Sequence, residues 1–586
     1  MIKRLFFLAF LIALAAVLFI NPNFKTVAAG VAIFLFGMVF LEDGFKIFSG
    51  GMLEKILRKS TDNTFKSIGF GAFITSVMQS SSLVSVLTIS FLGAGLIELG
   101  QGIGIVFGAN IGTTTGAWLM AGFGLKVKIA AYAMPMLVFG IILIFQKAKS
   151  LKGIGYILAG LGFLFLGIHY MKDGFEAFKN TIDLTKFEVA GYKGIFLFTG
   201  IGIFATVIMQ SSHATLMLIL AALATGQISY ENALALAIGA NVGTTITAII
   251  GSLSSNINGK RLAAAHLIFN VITGIIAIVF IYQLMNAVDY ISSLLGITST
   301  NHTLKLAVFH TIFNVIGVLV MLPFIGKLEK FLLKVLKEKE DKDIDEPKFL
   351  NESVLEFPET AISSLLNESK YLYKNAIFEI VAHALNIHRE DIKSDKKIKK
   401  IIKKSTEDMQ IDVEELYYKK VKTIYGEIIR YATTAQSKLR LSESQNNIIT
   451  DIKLANRKMV EIIRDVKELR KNVSMYLVSD NQYIKKEYNN FRKKVVKVLR
   501  VIYLFRKKEE KDIYYEKLMV LKNEAREAIH RENESIANLI RNDLITVDMA
   551  SSLVNDNDNV NDLIKKLIAV AELLYVGKDE LFENGE

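Results

Sequence analysis

The stretch Met78-Gln79-Ser80-Ser81-Ser82 returns farther along the chain as Met209-Gln210-Ser211-Ser212. A second stretch, Gly108-Ala109-Asn110-Ile111-Gly112-Thr113-Thr114, returns as Gly239-Ala240-Asn241-Val242-Gly243-Thr244-Thr245. The displacement from Gln79 to Gln210 is identical to the displacement from Asn110 to Asn241. A weaker pair, Asp43-Gly44-Phe45 and Asp173-Gly174-Phe175, recurs at almost the same displacement. One unit is therefore duplicated, and its best-matched residues are small, polar and uncharged. Within apolar sequence, such a duplication is typical of a buried solute site in a membrane transporter.

The composition divides the 586-residue chain into two unlike regions. Up to about residue 324 it consists of apolar stretches, most of them roughly 16–22 residues long and so able to cross a bilayer. From about residue 326 it is rich in Lys, Glu and Asp, with apolar residues at helical spacing. We therefore predict a transmembrane transport domain at residues 1–325, a charged linker at 326–358 and a cytoplasmic helical bundle at 359–586.

Charge and cysteine content exclude several classes of protein. The net charge of +12 does not indicate nucleic-acid binding, because much of the Lys and Arg is mixed with Asp and Glu. Surplus basic residues in a membrane protein are typical of cytoplasmic loops and of contact with anionic lipid. The absence of cysteine excludes disulfides and thiolate metal sites. No Gly-x-x-x-x-Gly-Lys-Ser/Thr motif occurs, so ATP-driven transport has no support, and we predict that the protein is not an enzyme.

Two apolar stretches are too long for a single crossing, and each contains Gln-Ser-Ser near its middle. Three adjacent polar side chains are costly in lipid unless the backbone turns there inside protein. We therefore predict a re-entrant helical hairpin in each of the two stretches. The alternative is a pair of ordinary spans joined by a polar turn. Residues 5–20 are predicted to be a retained first helix rather than a cleaved signal peptide. The apolar stretches are residues 5–20, 26–41, 65–96, 102–121, 129–145, 154–171, 196–224, 233–252, 262–282 and 304–324.

The loop charges predict an inverted arrangement of the two repeats, residues 26–146 and 154–283, flanked by helices 5–20 and 304–324. Residues 284–303 contain no Lys or Arg, whereas four Lys follow the last apolar stretch, so the latter end is assigned to the cytoplasm. Counting back places both termini inside, loop 42–66 inside and its counterpart 172–193 outside. Lys126, Lys128 and the Lys residues of 172–193 then disagree with the rule. The predicted fold is all-α: a polytopic membrane protein of two inverted repeats with re-entrant helical hairpins, plus a cytoplasmic helical bundle.

The two motifs lie where charged side chains are scarce. Between residues 67 and 125 the only acid, base or histidine is Glu98, and between 194 and 258 there are only His213 and Glu231. A site of hydroxyls, carboxamides and broken-helix termini can bind an oxyanion together with Na⁺, because helix N-termini attract anions and free carbonyls attract cations. Without a carboxylate relay, proton coupling is disfavoured. The motif glycines serve either packing or the site, and His213 is either a neutral core residue or a ligand.

The duplicated Gln-Ser-Ser and Gly-Ala-Asn-[Ile/Val]-Gly-Thr-Thr elements resemble the type II sodium/phosphate cotransporter family. The resemblance covers roughly residues 26–282 and implies that phosphate and the co-transported Na⁺ share a central site, with no other cofactor. His213 stands where that family usually has a third serine. The phosphate-binding residues implied are Gln79, Ser80, Ser81, Ser82, Gln210, Ser211, Ser212, Asn110 and Asn241. The sodium-binding residues implied are Gln79, Ser82, Thr113, Thr114, Gln210, Ser212, Thr244 and Thr245.

The C-terminal region is predicted to form long amphipathic helices at residues 362–388, 413–439, 445–476, 482–505, 513–541 and 560–574. It resembles the PhoU-like bundles that bacterial members of that family carry, and such bundles can hold metals through acid-x-x-x-Asp motifs. The nearest fits are Glu461 with Asp465 and Asp558 with Asp562, a spacing that is also common on solvated helices. The basic run at residues 396–400 is interpreted as a solvated or membrane-facing patch.

The sequence therefore predicts a sodium-coupled inorganic phosphate transporter of the cell (inner) membrane. Transport would be symport by alternating access, with the substrate at the paired Gln-Ser-Ser tips and a regulatory bundle in the cytoplasm. One alternative is a phosphate exporter or channel-like protein. Another is a membrane phosphate sensor that acts through the bundle.

Overall fold

A computed structural model of the chain describes residues 11–12, 14–49, 61, 63–124, 129–179, 188–253, 255–337, 345–351, 355, 357–407, 409–439, 441–507 and 511–576. Regular structure in these residues is helical throughout, as predicted. Lys126, Lys128, part of the predicted first helix and part of each loop that gave the repeats opposite orientations lie outside the described residues. The chain divides into two compact units, Met1–Glu338 and Lys339–Glu586.

The first unit is a set of apolar helices. Among the described residues, seven helical segments are long and apolar enough to span a membrane, which confirms the predicted all-α membrane fold. The helices are α1 (Pro22–Ser49), α2 (Thr64–Met78), α3 (Ser81–Gly93), α4 (Leu99–Leu119), α5 (Ile129–Ile144), α6 (Lys149–Lys179), α7 (Gly191–Met209), α8 (Ser212–Ala224), α9 (Tyr230–Gly243), α10 (Thr245–Leu253), α11 (Ile257–Val279), α12 (Ile281–Leu294), α13 (His302–Met321) and α14 (Ile325–Val335).

Helix α14 occupies the start of the predicted charged linker. Its buried face consists of Ile325, Leu328 and Leu332, and it packs against α4 and α11. The guanidinium of Arg261, on α11, donates to the carbonyl oxygen of Leu336 at 2.6 and 3.0 Å. The membrane unit thus extends past residue 325, because successive turns of this charged stretch still supply an apolar face.

Both long apolar stretches break at the same point of the motif. Gln79 and Gln210 have left-handed backbones, with φ of 54° and 51°. A left-handed residue ends a helix, and the extended serine that follows caps the next one. The 15 residues of α2 and the 13 of α3 therefore make two short arms in place of one long helix. The re-entrant path of these arms through a bilayer stays a prediction.

Helices α1 and α6 pack along most of their length through regularly spaced glycines. A β-carbon built on Gly30 would lie 2.8 Å from the carbonyl oxygen of Gly167, and one on Gly37 would lie 2.8 Å from that of Gly160. Rising residue numbers on α1 meet falling numbers on α6, so the helices are antiparallel. Each of these helices carries one copy of the duplicated Asp-Gly-Phe. Inverted repeats place equivalent helices in opposite directions, so the antiparallel packing agrees with that prediction.

The motif glycines bring helix backbones into contact, and they do so identically in both repeats. A β-carbon on Gly108 of α4 would lie 2.0 Å from the carbonyl oxygen of Ile68, on α2. One on Gly239 of α9 would lie 2.1 Å from that of Thr199, on α7, the residue that is equivalent to Ile68 in the second repeat. No real β-carbon fits at such distances. Close packing therefore explains these glycines, a choice the sequence left open.

The second unit is a bundle with a continuous apolar core. Its helices are α15 (Pro358–Leu372), α16 (Phe378–Ala384), α17 (Arg389–Lys393), α18 (Ile398–Lys404), α19 (Val413–Lys420), α20 (Lys422–Lys438), α21 (Glu443–Leu477), α22 (Gln482–Lys507), α23 (Lys511–Arg541) and α24 (Val547–Tyr575). Fully buried Arg492 fixes the loops after α16 and α18 by donating to the carbonyl oxygens of Leu385 at 2.8 Å and Ser405 at 2.7 Å.

A buried carboxylate fixes the segment that precedes the bundle. Glu368 on α15 accepts hydrogen bonds from the backbone N–H groups of Lys348 at 2.8 Å and Phe349 at 2.6 Å. Burial raises the pKa of Glu368 to about 7, although these N–H groups act in the opposite direction. An acid whose pKa is raised by folding binds its proton more tightly in the folded state. Its stabilising contribution is complete below about pH 4.5 and is lost as the pH rises through about 7.

The first prediction concerns the motif glycines. Gly108→Ala and Gly239→Ala should each lower stability by about 1–3 kcal/mol, since the new methyl group meets a backbone carbonyl. The matched controls are Gly69→Ala and Gly200→Ala, at positions that are also equivalent by the duplication, where a β-carbon would have no neighbour within 4 Å. The controls should be neutral or stabilising by about 0.5–1 kcal/mol. Melting temperatures in detergent measure the difference, and equal losses in all four variants would contradict the packing account.

The second prediction concerns Glu368. Glu368→Gln removes the titration, so the variant should gain stability over the parent as the pH rises from about 5 to about 8. The gain should reach roughly 3 kcal/mol, about 1.4 kcal/mol for each unit of pKa shift. Because the chain contains no cysteine, a single cysteine at the buried position of Val381 reports opening of the bundle by its labelling rate. The labelling rates are compared between the parent and Glu368→Gln, each with this cysteine. If their ratio does not change with pH, Glu368 does not titrate in this range.

Candidate functional site

The candidate site is built on the two tips where helices break. Ser80 Oγ accepts from the backbone N–H of Leu83 at 3.3 Å, and Ser211 Oγ accepts from that of Ala214 at 3.2 Å. Both serines are buried, and both caps leave further N–H groups of the first turn directed at the tip. Helices α3 and α8 thus present positive ends there without a cationic side chain, an arrangement that suits an anion.

Each tip contacts the Gly-Thr-Thr helix of the opposite repeat, through residues that are equivalent by the duplication. Thr247 donates its hydroxyl to Ser82 Oγ at 3.1 Å. The equivalent of Ser82 is His213 and the equivalent of Thr247 is Gly116, because the same displacement relates both pairs. A β-carbon on Gly116 would lie 2.3 Å from His213 Nε2. One repeat therefore pairs a small tip residue with threonine, and the other pairs a large tip residue with glycine.

Gln79 and His213 bring the two tips together at Gly116. The same β-carbon position on Gly116 lies 2.9 Å from Gln79 Oε1, so both side chains reach one point on α4. Gln79 Nε2 donates to Thr115 Oγ1 at 3.0 Å and to the carbonyl oxygen of Ser76. His213 is buried, and its Nε2 has no hydrogen-bond partner among the described residues. An unpaired buried nitrogen beside a glutamine oxygen is suited to contact with a polar substrate.

Gln210 differs from its counterpart Gln79. Gln79 is half-buried, whereas Gln210 is exposed on the first unit. The sequence pattern predicts both glutamines in a site that excludes water. Of the two, Gln79 has the side-chain hydrogen bonds that a buried position requires. Ser81 and Ser212 are both buried at the tips, and Ser212 Oγ donates to Thr244 Oγ1 at 3.4 Å.

The two motif asparagines have different partners. Asn110 donates to the carbonyl oxygen of Val106 in its own helix at 2.8 Å. Asn241 donates to Asn270 Oδ1 on α11 at 2.9 Å and to Asn314 Oδ1 on α13 at 3.0 Å. Asn241 therefore ties three helices together, an important structural role beside any contact with a ligand. Oδ1 of Asn241 also lies 3.5 Å from His310 Nε2.

Sequence reasoning missed the partners of Asn241, although the sequence does contain a signal. His-x-Ile-Phe-Asn-Val-Ile occurs at residues 266–272 and again at residues 310–316. The two copies place Asn270 and Asn314 on adjacent helices, and each asparagine donates to the carbonyl oxygen of the histidine four residues before it. This shorter repeat recurs at a displacement different from that of the main duplication.

All four threonines implied as Na⁺ ligands are buried, and three of them donate to carbonyl oxygens of their own helices. Thr113 donates to the carbonyl oxygen of Ala109 at 2.9 Å, Thr114 to that of Ile111 at 2.8 Å and Thr245 to that of Val242 at 2.8 Å. Each hydroxyl hydrogen is thereby directed at the helix backbone. The oxygen lone pairs that remain are of the kind that Na⁺ binds.

The two glutamates that lie between the motifs in the sequence have structural partners at helix ends. Glu98 forms a capping box with Gln101 at the start of α4. Glu231, in the first turn of α9, accepts from the hydroxyl of Tyr282 at 2.9 Å. In the described residues around the tips, the side chains that can meet a substrate are thus uncharged amides, hydroxyls and imidazole.

Three of the four weak metal candidates of the bundle have other partners, and the fourth, Asp558, is exposed. Glu461 accepts from Arg457 at 3.2 Å, Asp465 from Lys566 at 2.5 Å and Asp562 from Lys565 at 3.1 Å. In the part of the chain that the structure describes, no three His, Asp or Glu side chains form a group that could hold a metal ion.

Comparison with known proteins gives a family match over the first unit. The family model described as Na⁺/Pi-cotransporter matches residues 33–173 and 184–326. "Uncharacterized protein YqeW" of Bacillus subtilis is 27% identical over 273 residues, which cover 45% of this chain and 84% of that protein. "Putative inorganic phosphate export protein YjbB" of Salmonella typhimurium is 26% identical over 266 residues, 45% of this chain and 48% of that protein. The YjbB of Escherichia coli K12 is 25% identical with the same coverage. The match thus spans about half the length of the YjbB proteins.

The third prediction concerns the exchanged pair at the tips. His213→Ser alone leaves a void beside Gly116, and Gly116→Thr alone meets the imidazole, so each should lower stability and phosphate binding. The double variant recreates the pairing of Ser82 with Thr247 and should recover much of both losses. A coupling free energy of about 0.5–3 kcal/mol is expected for such neighbours.

The reciprocal exchange supplies the control for this cycle. Ser82→His with Thr247→Gly should be tolerated better than either change alone. Melting temperatures and phosphate-binding isotherms measure both cycles. Strictly additive effects would show that His213 and Gly116 do not depend on each other. Recovery of stability without recovery of phosphate binding would assign His213 a direct part in the site.

Proposed function

The membrane unit of this chain belongs to the Na⁺/Pi-cotransporter family, and from that premise we propose that it moves inorganic phosphate together with Na⁺. The members of this family are transporters, so the protein is a phosphate transporter of a membrane and not an enzyme. The chemistry of the site supports sodium coupling and alternating access at the paired tips.

One observation carries the proposal: among the described residues, two buried tips bring helix N-termini and uncharged polar side chains together without Lys or Arg. A phosphate dianion in such a site meets N–H dipoles worth only a fraction of a charge each. Its remaining charge must be offset before it can leave water. Co-bound Na⁺ does this, and the hydroxyl and carboxamide oxygens of Ser82, Gln79 and the motif threonines are suitable ligands.

The arrangement of the repeats supports the proposal of alternating access. The tips contact the opposite repeat through Ser82 with Thr247 and His213 with Gly116, and Ser211 Oγ lies 3.5 Å from Met38 Sδ of the first repeat. If the two arms enter from opposite membrane faces, movement of one repeat against the other opens the shared site to each side in turn. The antiparallel packing of α1 and α6, which carry a duplicated motif, supports that orientation.

A second candidate function is phosphate export. Two of the relatives carry the name "Putative inorganic phosphate export protein", which favours outward movement of phosphate. The same site serves either direction, since direction depends on ion gradients and on affinity at each face. A sensor that signals through the bundle is less favoured because it has no need of two tips.

The C-terminal bundle is proposed to be a PhoU-like regulatory domain in the cytoplasm. The membrane is proposed to be the inner cell membrane, with both chain termini on the cytoplasmic side. The four lysines from Lys327 to Lys337, which follow the last apolar helix, support that orientation.

The fourth prediction tests sodium coupling. Phosphate should bind the purified protein weakly in choline and at least tenfold more tightly in sodium, and phosphate should raise Na⁺ affinity by the same factor. Ser80→Ala and Ser211→Ala should weaken phosphate binding in sodium by roughly one to two orders of magnitude, since about 1–3 kcal/mol is lost when a dry site loses a hydrogen-bond partner.

Ser85→Ala is the matched control, because Ser85 is a buried serine on the same arm whose hydroxyl has no partner among the described residues. It should leave phosphate affinity unchanged. Equal affinity in choline and sodium would reject coupling and favour the channel-like alternative. Transport in proteoliposomes with inward and outward sodium gradients then separates uptake from export.

A further inference from the structure

The cytoplasmic bundle contains a pocket lined mainly by cationic side chains. The pocket has a volume of about 370 Å³. Five of the eight lining residues are basic: Lys374, Arg389, Lys393, Arg506 and Lys507. The one acidic lining residue is Glu390. Such a concentration of one charge is costly for the fold unless an anion is brought to it.

Three separate elements bring these cations together. Between α15 and α16 the helix widens into a π turn, Tyr373–Ile377, that contains Lys374. Short helix α17 supplies Arg389 and Lys393, which are one turn apart. The last turn of α22 supplies Arg506 and Lys507. π turns inside helices are frequent at functional sites, because the extra residue redirects side chains.

Neighbouring acids neutralise only part of this charge. Glu390 pairs with Lys393 at 2.6 Å. Glu379 is shared between Arg389 at 3.6 Å and Lys420, outside the pocket, at 2.9 Å. Even if both acids are counted in full against the pocket, five cations and two anions leave a charge of about +3.

The two arginines are held in place for a ligand. The guanidinium of Arg506 lies over the rings of Tyr373 and Tyr575, at 5.7 and 5.4 Å from their centroids. Arg389 Nε is buried and has no hydrogen-bond partner among the described residues. A planar guanidinium that is fixed by rings, or that has an unpaired N–H, is prepared to bind phosphoryl oxygens in bidentate fashion.

We propose that this pocket binds a ligand through at least two adjacent phosphoryl groups, such as a nucleoside diphosphate. A charge of about +3 exceeds what a single phosphate neutralises, and the volume lies in the range of small-molecule sites, roughly 300–1,000 Å³. Phe378 and Tyr503 add aromatic surface to the wall. A bisphosphorylated lipid headgroup has the same phosphoryl chemistry. The inference rests on the proposed function only in placing the bundle in the cytoplasm, where both kinds of ligand occur.

The test is a binding isotherm of ADP and of pyrophosphate, without divalent metal, on the full-length protein in nanodiscs of neutral lipid. Lys374→Gln with Lys507→Gln removes two exposed charges and so preserves the fold. This double variant should weaken binding by at least about tenfold. The matched control is Lys471→Gln with Lys486→Gln, which removes the same charge from exposed positions elsewhere on the bundle. The control should change affinity by no more than about twofold.

Arg389→Lys is a second variant, which keeps the charge but loses the planar fork and should also weaken binding. A lipid arm uses nanodiscs with and without a phosphatidylinositol bisphosphate. Binding of this lipid alone, with the same dependence on Lys374 and Lys507, identifies the headgroup as the source of the phosphoryl groups. If neither probe nor lipid binds, or if the double variant binds as well as its control, the inference is wrong. The measurement involves no transport, so its failure is independent of any failure of sodium coupling.

Discussion

A break in a helix inside a membrane exposes backbone groups that lipid cannot satisfy, and this constraint governs the first unit. The left-handed residues Gln79 and Gln210 make the breaks, and the hydroxyls of Ser80 and Ser211 cap the helices that follow. The broken segments must also be enclosed by other helices at short range. Reciprocal glycine contacts, with Gly108 against Ile68 and Gly239 against Thr199, bring those helices close enough to do so. The polar breaks can therefore be enclosed by protein because glycines, which have no side chain, let the neighbouring helices approach.

The two repeats have the same backbone design but differ in the side chains that meet at the tips. Two equivalent contacts differ in which partner is large. In one, the small Ser82 meets Thr247, and in the other, the large His213 meets Gly116. Asn241 ties α9 to two other helices, whereas Asn110 bonds within its own helix. A symmetric backbone suits a site that opens to both faces. Asymmetric side chains allow the two open states to differ in affinity.

The sequence was sufficient for the all-α membrane fold and for the position of each break. Three polar residues within an apolar stretch are compatible with few structures in lipid other than a helix break, and duplication at one displacement made the pattern specific.

The side-chain contacts between the two repeats could not be predicted from the sequence in the same way. The contact of His213 with Gly116 depends on helix packing that periodicity does not encode, and the exposure of Gln210 could not be separated from the half-burial of Gln79. The role of Gly108 required a distance to Ile68, because a glycine near a site and a glycine in a helix contact have the same sequence signature. The basic pocket of the bundle joins elements that are far apart in the chain, which no local pattern connects.

The central claim is that both tips belong to one phosphate site, and accessibility of the two capping serines tests it most directly. Ser80→Cys and Ser211→Cys, made singly in this cysteine-free chain, can be labelled with a membrane-impermeant thiol reagent in oriented vesicles. The account predicts that both cysteines react slowly in sodium with phosphate and faster when either is withdrawn, while a cysteine at the exposed position of Phe204 does not respond. Protection of only one of the two cysteines, or of neither, would contradict a shared site.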